Sequence, residues 1–140
     1  MTRPSKTTLE TILVVEDDPA ILEMVKLILD EAGFEVLSAP SADQADLIAD
    51  GFPRAIHLLL SDVMMPDVSG PALAGRLKEH RPEMRVMLMS GLADGAMLVL
   101  NFGWHFIRKP FLASSLLARV DDVLHSDVAD QGTDHFDTRG

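Results

Sequence analysis

The chain has 140 residues, 47% of them hydrophobic, and a formal net charge of −10 at pH 7; this length suits one domain with a buried core. It contains no cysteine, which excludes disulfides, thiolate metal sites and thiol catalysis, and its acidic charge argues against direct nucleic-acid binding. Because no apolar run approaches the roughly 20 residues of a membrane span and no signal peptide opens the chain, we expect a cytoplasmic protein without membrane insertion.

The first part of the chain predicts two strands separated by a helix. Residues 11–15 form an unbroken apolar run, which is typical of a strand buried on both faces of a parallel sheet. Asp18 is placed to cap the following helix, with Pro19 at its first position, and Gly33 is placed to end it. Residues 34–37 form the second strand, which is short.

The rest of the chain continues this alternation. The predicted helices are at residues 41–50, 70–80, 92–102 and 111–125, and the predicted strands are at residues 56–61, 85–89 and 104–107. Five strands alternating with five helices predict an α/β fold, in which right-handed crossovers connect the strands of a mostly parallel sheet. We assign residues 1–10 to a flexible amino-terminal segment, 11–125 to the domain and 126–140 to a disordered acidic tail.

Polar side chains follow four of the five predicted strands. Glu16 and Asp17 follow the first strand, Asp62 the third, Ser90 the fourth and Lys109 the fifth. Because the carboxyl ends of parallel strands meet at one edge of a sheet, we expect these side chains to share a cleft. Crowded carboxylates repel one another and need a cation, and oxygen ligands suit a hard divalent ion such as Mg2+.

Asp62 is the candidate for the reactive group of this cleft. A carboxylate at the end of a buried strand is costly unless its charge is used. With a metal ion nearby and with Lys109 and Ser90 able to contact phosphoryl oxygens, Asp62 can attack phosphorus and form an aspartyl phosphate. The alternative for Asp62 is a structural role as a cap of the following loop.

Four motifs stand at these strand ends, and their order along the chain is specific. They are residues 14–19, 60–70, 89–91 and 109–111. Together they resemble the receiver domains of response regulators in two-component signalling. The resemblance covers residues 11–124. It implies an α/β, flavodoxin-like receiver fold with a doubly wound, five-stranded parallel sheet in the strand order 2-1-3-4-5.

The resemblance also implies a role for each residue of the cleft. Asp17 would bind Mg2+ (or Mn2+) directly, Glu16 would bind it through water, and Met64 would lend it a backbone carbonyl. Asp62 would be the phosphoacceptor and a further metal ligand. Lys109, which precedes a proline that is often in a cis peptide in this family, would contact the phosphoryl group.

Two further positions match the switch residues of the family. Ser90 corresponds to the hydroxyl that moves toward the phosphoryl group, and Phe106 stands at the switch aromatic position, three residues before Lys109. For Phe106, an ordinary role as a core aromatic residue is the alternative. Asp67 and Gly70 are interpreted as loop and helix-start residues without a chemical role.

The segment between Ser90 and Lys109 departs from the family pattern, because it is shorter than usual. Residues 96–100 within it are apolar nearly all round, and such a helix needs cover on every side. With Trp104 and the last helix, residues 92–104 are the predicted face for an unknown output protein or for a second copy of the chain in a homodimer. A short helix tucked into the core is the alternative.

Met64 and Leu92 predict a property of the phosphorylated state. The resemblance places both beside the path of the water that hydrolyses the phosphoryl group, and both are apolar here. We therefore expect slow self-dephosphorylation.

The leading functional hypothesis is a stand-alone, phosphorylation-controlled signalling module. A sensor histidine kinase or a phosphotransfer protein would donate the phosphoryl group, and the chain would not be an enzyme acting on an outside substrate. A receiver-shaped adaptor that works without phosphorylation is the alternative, although the intact set of cleft residues argues against it. An aspartyl phosphatase is a third class, but such enzymes carry a second acid two residues after the nucleophile, where this chain has Met64.

Overall fold

A computed structural model describes residues 9–91 and 104–125 of the chain. The described strands are β1 (Thr11–Val15), β2 (Glu35–Ala39), β3 (Leu58–Asp62), β4 (Arg85–Ser90) and β5 (His105–Arg108). The described helices are α1 (Pro19–Glu31), α2 (Ala42–Gly51), α3 (Gly70–His80) and α4 (Ala113–His125). The helix predicted at residues 92–102, the tail at 126–140 and residues 1–8 lie outside the described residues.

The five strands form one parallel sheet in the order β2-β1-β3-β4-β5, which confirms the predicted topology. The register aligns Val15 of β1 with Ser61 of β3, and Asp62 with Met89 of β4. Asp62 is therefore the last residue of β3 and not the first residue after it. The carboxyl ends of all five strands lie along one edge of the sheet, called the carboxyl edge below.

Helices cover both faces of the sheet. Leu13 and Val15 pack with α2 and α3, whereas Ile12 and Val14 pack with α1 and α4. Successive side chains of a strand point to opposite faces, so both sets are buried only if both faces are covered. This explains the unbroken apolar run of β1 and confirms the doubly wound arrangement. None of the described helices has the length and apolar character needed to cross a membrane.

The ends of α1 follow from its sequence as predicted. The Asp18 side chain accepts a hydrogen bond of 2.9 Å from the backbone N–H of Ala20, and Pro19 occupies the first helical position. Gly33 has a φ of 100°, in the left-handed region where a side chain is disfavoured, and its N–H donates to the Asp30 carbonyl at 3.0 Å. Local signals therefore set both ends of this helix.

The opposite edge of the sheet, called the amino edge below, carries a bidentate ion pair. Arg54 donates to both carboxylate oxygens of Glu35 at 2.9 and 3.0 Å, and the Thr11 hydroxyl donates to Glu35 at 2.9 Å. These hydrogen bonds, led by those of Arg54, lower the pKa of Glu35 to about 2. The hydrogen bonds from Arg54 and Thr11 therefore stabilise the charged form of the Glu35 carboxylate.

A second arginine joins two loops at the amino edge. The Arg81 guanidinium donates to three backbone carbonyls, those of Ala49, Phe52 and Arg54, each at 2.8 Å. The Ala49 carbonyl belongs to the last turn of α2, where the helix offers no N–H partner. Arg81 therefore caps α2 and ties its carboxyl end to the end of α3.

Candidate functional site

Three carboxylates converge at the carboxyl edge. Glu16 and Asp17 follow β1 and Asp62 ends β3, and one oxygen from each lies within 4.8 Å of the others. Because β1 and β3 are neighbours in the sheet, residues distant in sequence become adjacent at this edge. Glu16 is 1% exposed and Asp62 is 8% exposed, whereas Asp17 is exposed. We call these three residues the acidic cluster.

Lys109 brings a positive charge into the acidic cluster. Its Nζ lies 2.8 Å from Glu16 Oε1 and 3.2 Å from Asp62 Oδ1. Its backbone N–H donates to the Ser90 carbonyl at 2.7 Å, and the Lys109–Pro110 peptide bond is cis. The backbone of Lys109 is thus fixed at the end of β4 while its ammonium reaches across to β1 and β3.

Glu16 is held at both of its carboxylate oxygens, in different ways. Oε2 accepts a hydrogen bond of 3.0 Å from the backbone N–H of Asp18, at the start of α1. Oε1 lies 2.8 Å from Lys109 Nζ in the ion pair, and a carboxylate oxygen in one such contact still has a second lone pair. Oε1 therefore keeps capacity to accept a further donor or to bind a cation.

The charges of the cleft are not balanced. Burial raises the pKa of both Glu16 and Asp62, and the charge of Asp62 acts on Glu16 in the same direction. Burial alone would lower the pKa of Lys109, but its contacts with Glu16 and Asp62 raise it. Among the residues that the structure describes, one ammonium therefore faces three carboxylates, and these groups together carry excess negative charge.

The residues of the acidic cluster fit a hard divalent cation. All three offer carboxylate oxygens, the donors that Mg2+ prefers in proteins, and they converge closely enough to share one ion. The raised pKa values of Glu16 and Asp62 show that their negative charge is unfavourable without further compensation. A divalent cation would provide that compensation.

The remaining predicted residues lie around the acidic cluster. Ser90 ends β4, is buried, and uses its carbonyl to hold the backbone of Lys109. Met64 lies two residues beyond Asp62 and is 64% exposed. Phe106 in β5 is partly buried against the core cluster that contains Leu88. Leu92 lies outside the described residues.

Two contacts on the backbone of Asp62 were not predicted. The buried Ser61 hydroxyl donates to the Asp62 carbonyl at 2.9 Å, and Gly70 packs directly against the same carbonyl. The sequence interpretation assigned Gly70 only the start of a helix. The contact depends on how residues 63–69 fold back onto β3, and a residue pattern carries little information about that path.

The chain is similar to one well-populated family of proteins. The family model described as "Response regulator receiver domain" matches residues 12–121. The phosphate regulon transcriptional regulatory protein PhoB of Pseudomonas aeruginosa is 38% identical over 120 residues, which are 82% of this chain and 52% of that protein. The sensor kinase CckA of Brucella abortus is 30% identical over 117 residues, which are 81% of this chain and 12% of that protein. The chain thus matches about half of the length of the first relative and about an eighth of the length of the second.

Solved structures agree with this similarity. The crystal structure of a response regulator receiver domain protein from Clostridium thermocellum matches with a TM-score of 0.74 and 30% sequence identity. The match covers 83% of this chain and 94% of that one. Nearly the whole of that chain is therefore matched by this fold.

Proposed function

Because this chain belongs to the response-regulator receiver family of two-component signalling, we propose that it accepts a phosphoryl group on Asp62. The donor would be a phosphohistidine on a sensor histidine kinase or on a phosphotransfer protein. The observation that carries the proposal is the position of Asp62, buried in the acidic cluster with Lys109 Nζ 3.2 Å from its carboxylate. This geometry offers a nucleophilic oxygen beside a cation that can hold a phosphoryl oxygen.

The proposed step is a transfer between two protein side chains. An oxygen of Asp62 attacks phosphorus, so that a new O–P bond forms as the P–N bond to the donor imidazole breaks. The bonding pair leaves with the imidazole nitrogen, which takes up a proton. Lys109 stays protonated at neutral pH because its contacts raise its pKa, and its charge stabilises the oxygens of the transferring group.

The acidic cluster would hold Mg2+ (or Mn2+) during this step. Glu16, Asp17, Asp62 and the backbone carbonyl of Met64 are the proposed ligands. The bound ion would supply positive charge that offsets the phosphoryl oxygens. Without the ion, Lys109 would be the cation of the described cleft that offsets the incoming phosphoryl charge, so uptake should depend on added divalent cation.

We further propose that Ser90 and Phe106 respond to the phosphoryl group. Ser90 ends the strand next to β3, so its hydroxyl can approach a phosphoryl group on Asp62. Phe106 lies on the neighbouring strand and packs only partly into the core, which leaves it room to change its packing. The readout would be binding of an output protein, or of a second copy of the chain, to residues 92–104 and the last helix.

Phosphoryl uptake is tested with a small phosphodonor. Incubation with acetyl phosphate and Mg2+ should add the mass of one phosphoryl group, and Asp62→Ala should abolish the gain. Asp67→Asn is the matched control, because Asp67 is an exposed carboxylate of the same loop and should not matter. A chain that binds partners but takes up no phosphoryl group would support the adaptor alternative, and steady hydrolysis of phosphomonoesters would support an enzyme.

The lifetime of phospho-Asp62 gives a second test. The exposed, apolar Met64 beside Asp62 offers no group that could orient a hydrolytic water. We therefore expect slow loss of the phosphoryl group, measured as phosphate release after the donor is removed. A half-life of seconds would contradict this expectation, and Met64→Asn should shorten the lifetime.

A further inference from the structure

Gly70 makes an unusually close approach to the phosphoacceptor. The loop at residues 63–69 leaves β3 and returns, so that Gly70 at the start of α3 donates its N–H to the Val63 carbonyl at 2.8 Å. A methyl group added to Gly70 would overlap the carbonyl oxygen of Asp62, and would lie 3.1 Å from the Asp62 carbonyl carbon and 3.2 Å from Ser61 Oγ. There is no room for any side chain at this position.

The torsion angles of Gly70 do not require glycine. Among the described residues, Gly33 is the glycine with a positive φ, and Gly70 has torsion angles that other residues adopt. Space is therefore the reason for glycine at position 70. What it keeps clear is the backbone carbonyl of Asp62, which cannot move aside without disturbing the residue, unlike the end of a flexible side chain.

The helix that carries Gly70 is not free to retreat. Pro71, Leu73 and Leu77 on the inner side of α3 are buried, so a shift of the helix would disturb the core. The easier response to added bulk is a rotation of the peptide plane between Asp62 and Val63. Such a rotation moves the residue whose carboxylate lies 3.2 Å from Lys109 Nζ.

We propose that Gly70 is a positioning residue for the phosphoacceptor, because its missing side chain sets the orientation of the Asp62 backbone and, through it, the place of the carboxylate. This inference rests on the proposed phosphorylation of Asp62. Small errors in the placement of a reacting group reduce rates strongly, since a displacement of about 1 Å can lower a rate roughly 100-fold. Gly70 itself would touch neither the phosphoryl group nor the metal ion.

The test compares two glycines of the same helix. Gly70→Ala and Gly75→Ala make the same chemical change, but a methyl group on Gly75 would meet nothing within 4 Å. Each variant is phosphorylated with acetyl phosphate and Mg2+, a reaction in which the phosphoryl group passes to Asp62 and acetate leaves. The rate is divided by the folded fraction, which circular dichroism measures in the same buffer.

We expect Gly70→Ala to lower the saturating rate constant at least about 10-fold, with a much smaller change in the half-saturating donor concentration. Gly75→Ala should stay within about twofold of the unsubstituted protein. An NMR spectrum of the metal-free protein adds a readout that needs no activity. The Val63 amide, which donates to the Met89 carbonyl at 2.9 Å, should shift in Gly70→Ala and not in Gly75→Ala.

Three results would overturn the proposal. The first is an unchanged rate per folded molecule in Gly70→Ala, and the second is an unchanged Val63 amide. The third is a Gly70→Ala chain that fails to fold even when Gly75→Ala is added to favour the helix. Gly70 would then serve the fold alone. Failure of the unsubstituted protein to take up the phosphoryl group would instead refute the proposed function, so the two failures are distinguishable.

Discussion

At the amino edge of the sheet, Glu35 accepts two hydrogen bonds from Arg54 and one from Thr11, and its pKa falls to about 2. At the carboxyl edge, Glu16 and Asp62 share one ammonium group, and burial raises the pKa of both. The same residue types at the two ends of one sheet therefore have opposite electrostatic environments. The negative charge of the carboxylate is compensated at the amino edge, whereas negative charge is in excess at the carboxyl edge.

The two edges should contribute to stability with opposite dependence on pH. A lowered pKa in the folded state adds stability above the unfolded value, and that contribution is lost as the pH falls through the folded value. A raised carboxyl pKa has the reverse effect, because stability falls as the pH rises and the buried group ionises. At neutral pH the amino edge stabilises the fold, whereas the metal-free carboxyl edge opposes it.

The largest expected effect comes from replacing one carboxylate at each edge by its amide. Asp62→Asn should abolish phosphoryl uptake and yet raise the free energy of unfolding at pH 7 in the presence of a chelator, because an unfavourable charge is removed. Glu35→Gln should retain uptake and lower stability. Urea unfolding and mass spectrometry after treatment with acetyl phosphate measure both quantities. Equal stability changes of the same sign would contradict the comparison.

Removing the ammonium group of Lys109, which contacts the acidic cluster, should affect both chemistry and stability. Lys109→Met should slow phosphoryl uptake on the order of 100-fold, because the transferring oxygens lose a charged donor. It should also lower the free energy of unfolding by about 2 kcal/mol, because Glu16 and Asp62 lose their partner. Lys26→Met is the control: Lys26 forms an exposed pair with Asp30 at 3.9 Å, so both quantities should stay nearly constant.

The capping arginine of the amino edge should matter for stability alone. Arg81→Ala removes three hydrogen bonds from a charged group to backbone carbonyls and should lower the free energy of unfolding by about 2 kcal/mol. Phosphoryl uptake per folded molecule should not change. Arg76→Ala, within α3, breaks an exposed ion pair with Asp46 and should change stability by less than about 0.5 kcal/mol. A matching loss in both variants would count against the capping role.

The smallest expected effect is the pH dependence contributed by Glu35. Its pKa is about 2 in the folded protein against an ordinary value of 4.5. The stabilisation should therefore be complete above pH 4.5 and fade as the pH falls toward 2. Because solvent screens this ion pair, we expect only a small difference in the free energy of unfolding between the original chain and Glu35→Gln at pH 7. Urea titrations of both proteins from neutral to acid pH should converge.

The sequence predicted those parts of the site that follow from topology. Alternating strands and helices imply a parallel sheet. Such a sheet brings Glu16, Asp62 and Lys109 to one edge, whatever conformation the loops adopt. The cap at Asp18 and the stop at Gly33 were predictable for a different reason, since each depends on a few neighbouring residues. Both kinds of prediction use information that is local or periodic.

The contacts of Arg81 and Gly70 were not predictable in this way. Arg81 reaches carbonyls about 30 residues away in the chain, and Gly70 meets the backbone of Asp62 only because the intervening loop returns to β3. Neither contact has a period or a local signature. Residues that support a site through the backbone are therefore harder to find from one sequence than residues that carry its charges.

The hydrogen bond from the Lys109 N–H to the Ser90 carbonyl, at 2.7 Å, has a consequence for how such proteins diversify. Together with the pairing of Ser90 and Arg108 between β4 and β5, it keeps Ser90 and Lys109 adjacent at the carboxyl edge, although 18 residues separate them in the chain. Residues 92–104, the proposed output face, are therefore the segment to exchange between relatives. A chimera that borrows this segment should keep its phosphoryl chemistry and acquire the partner preference of the donor.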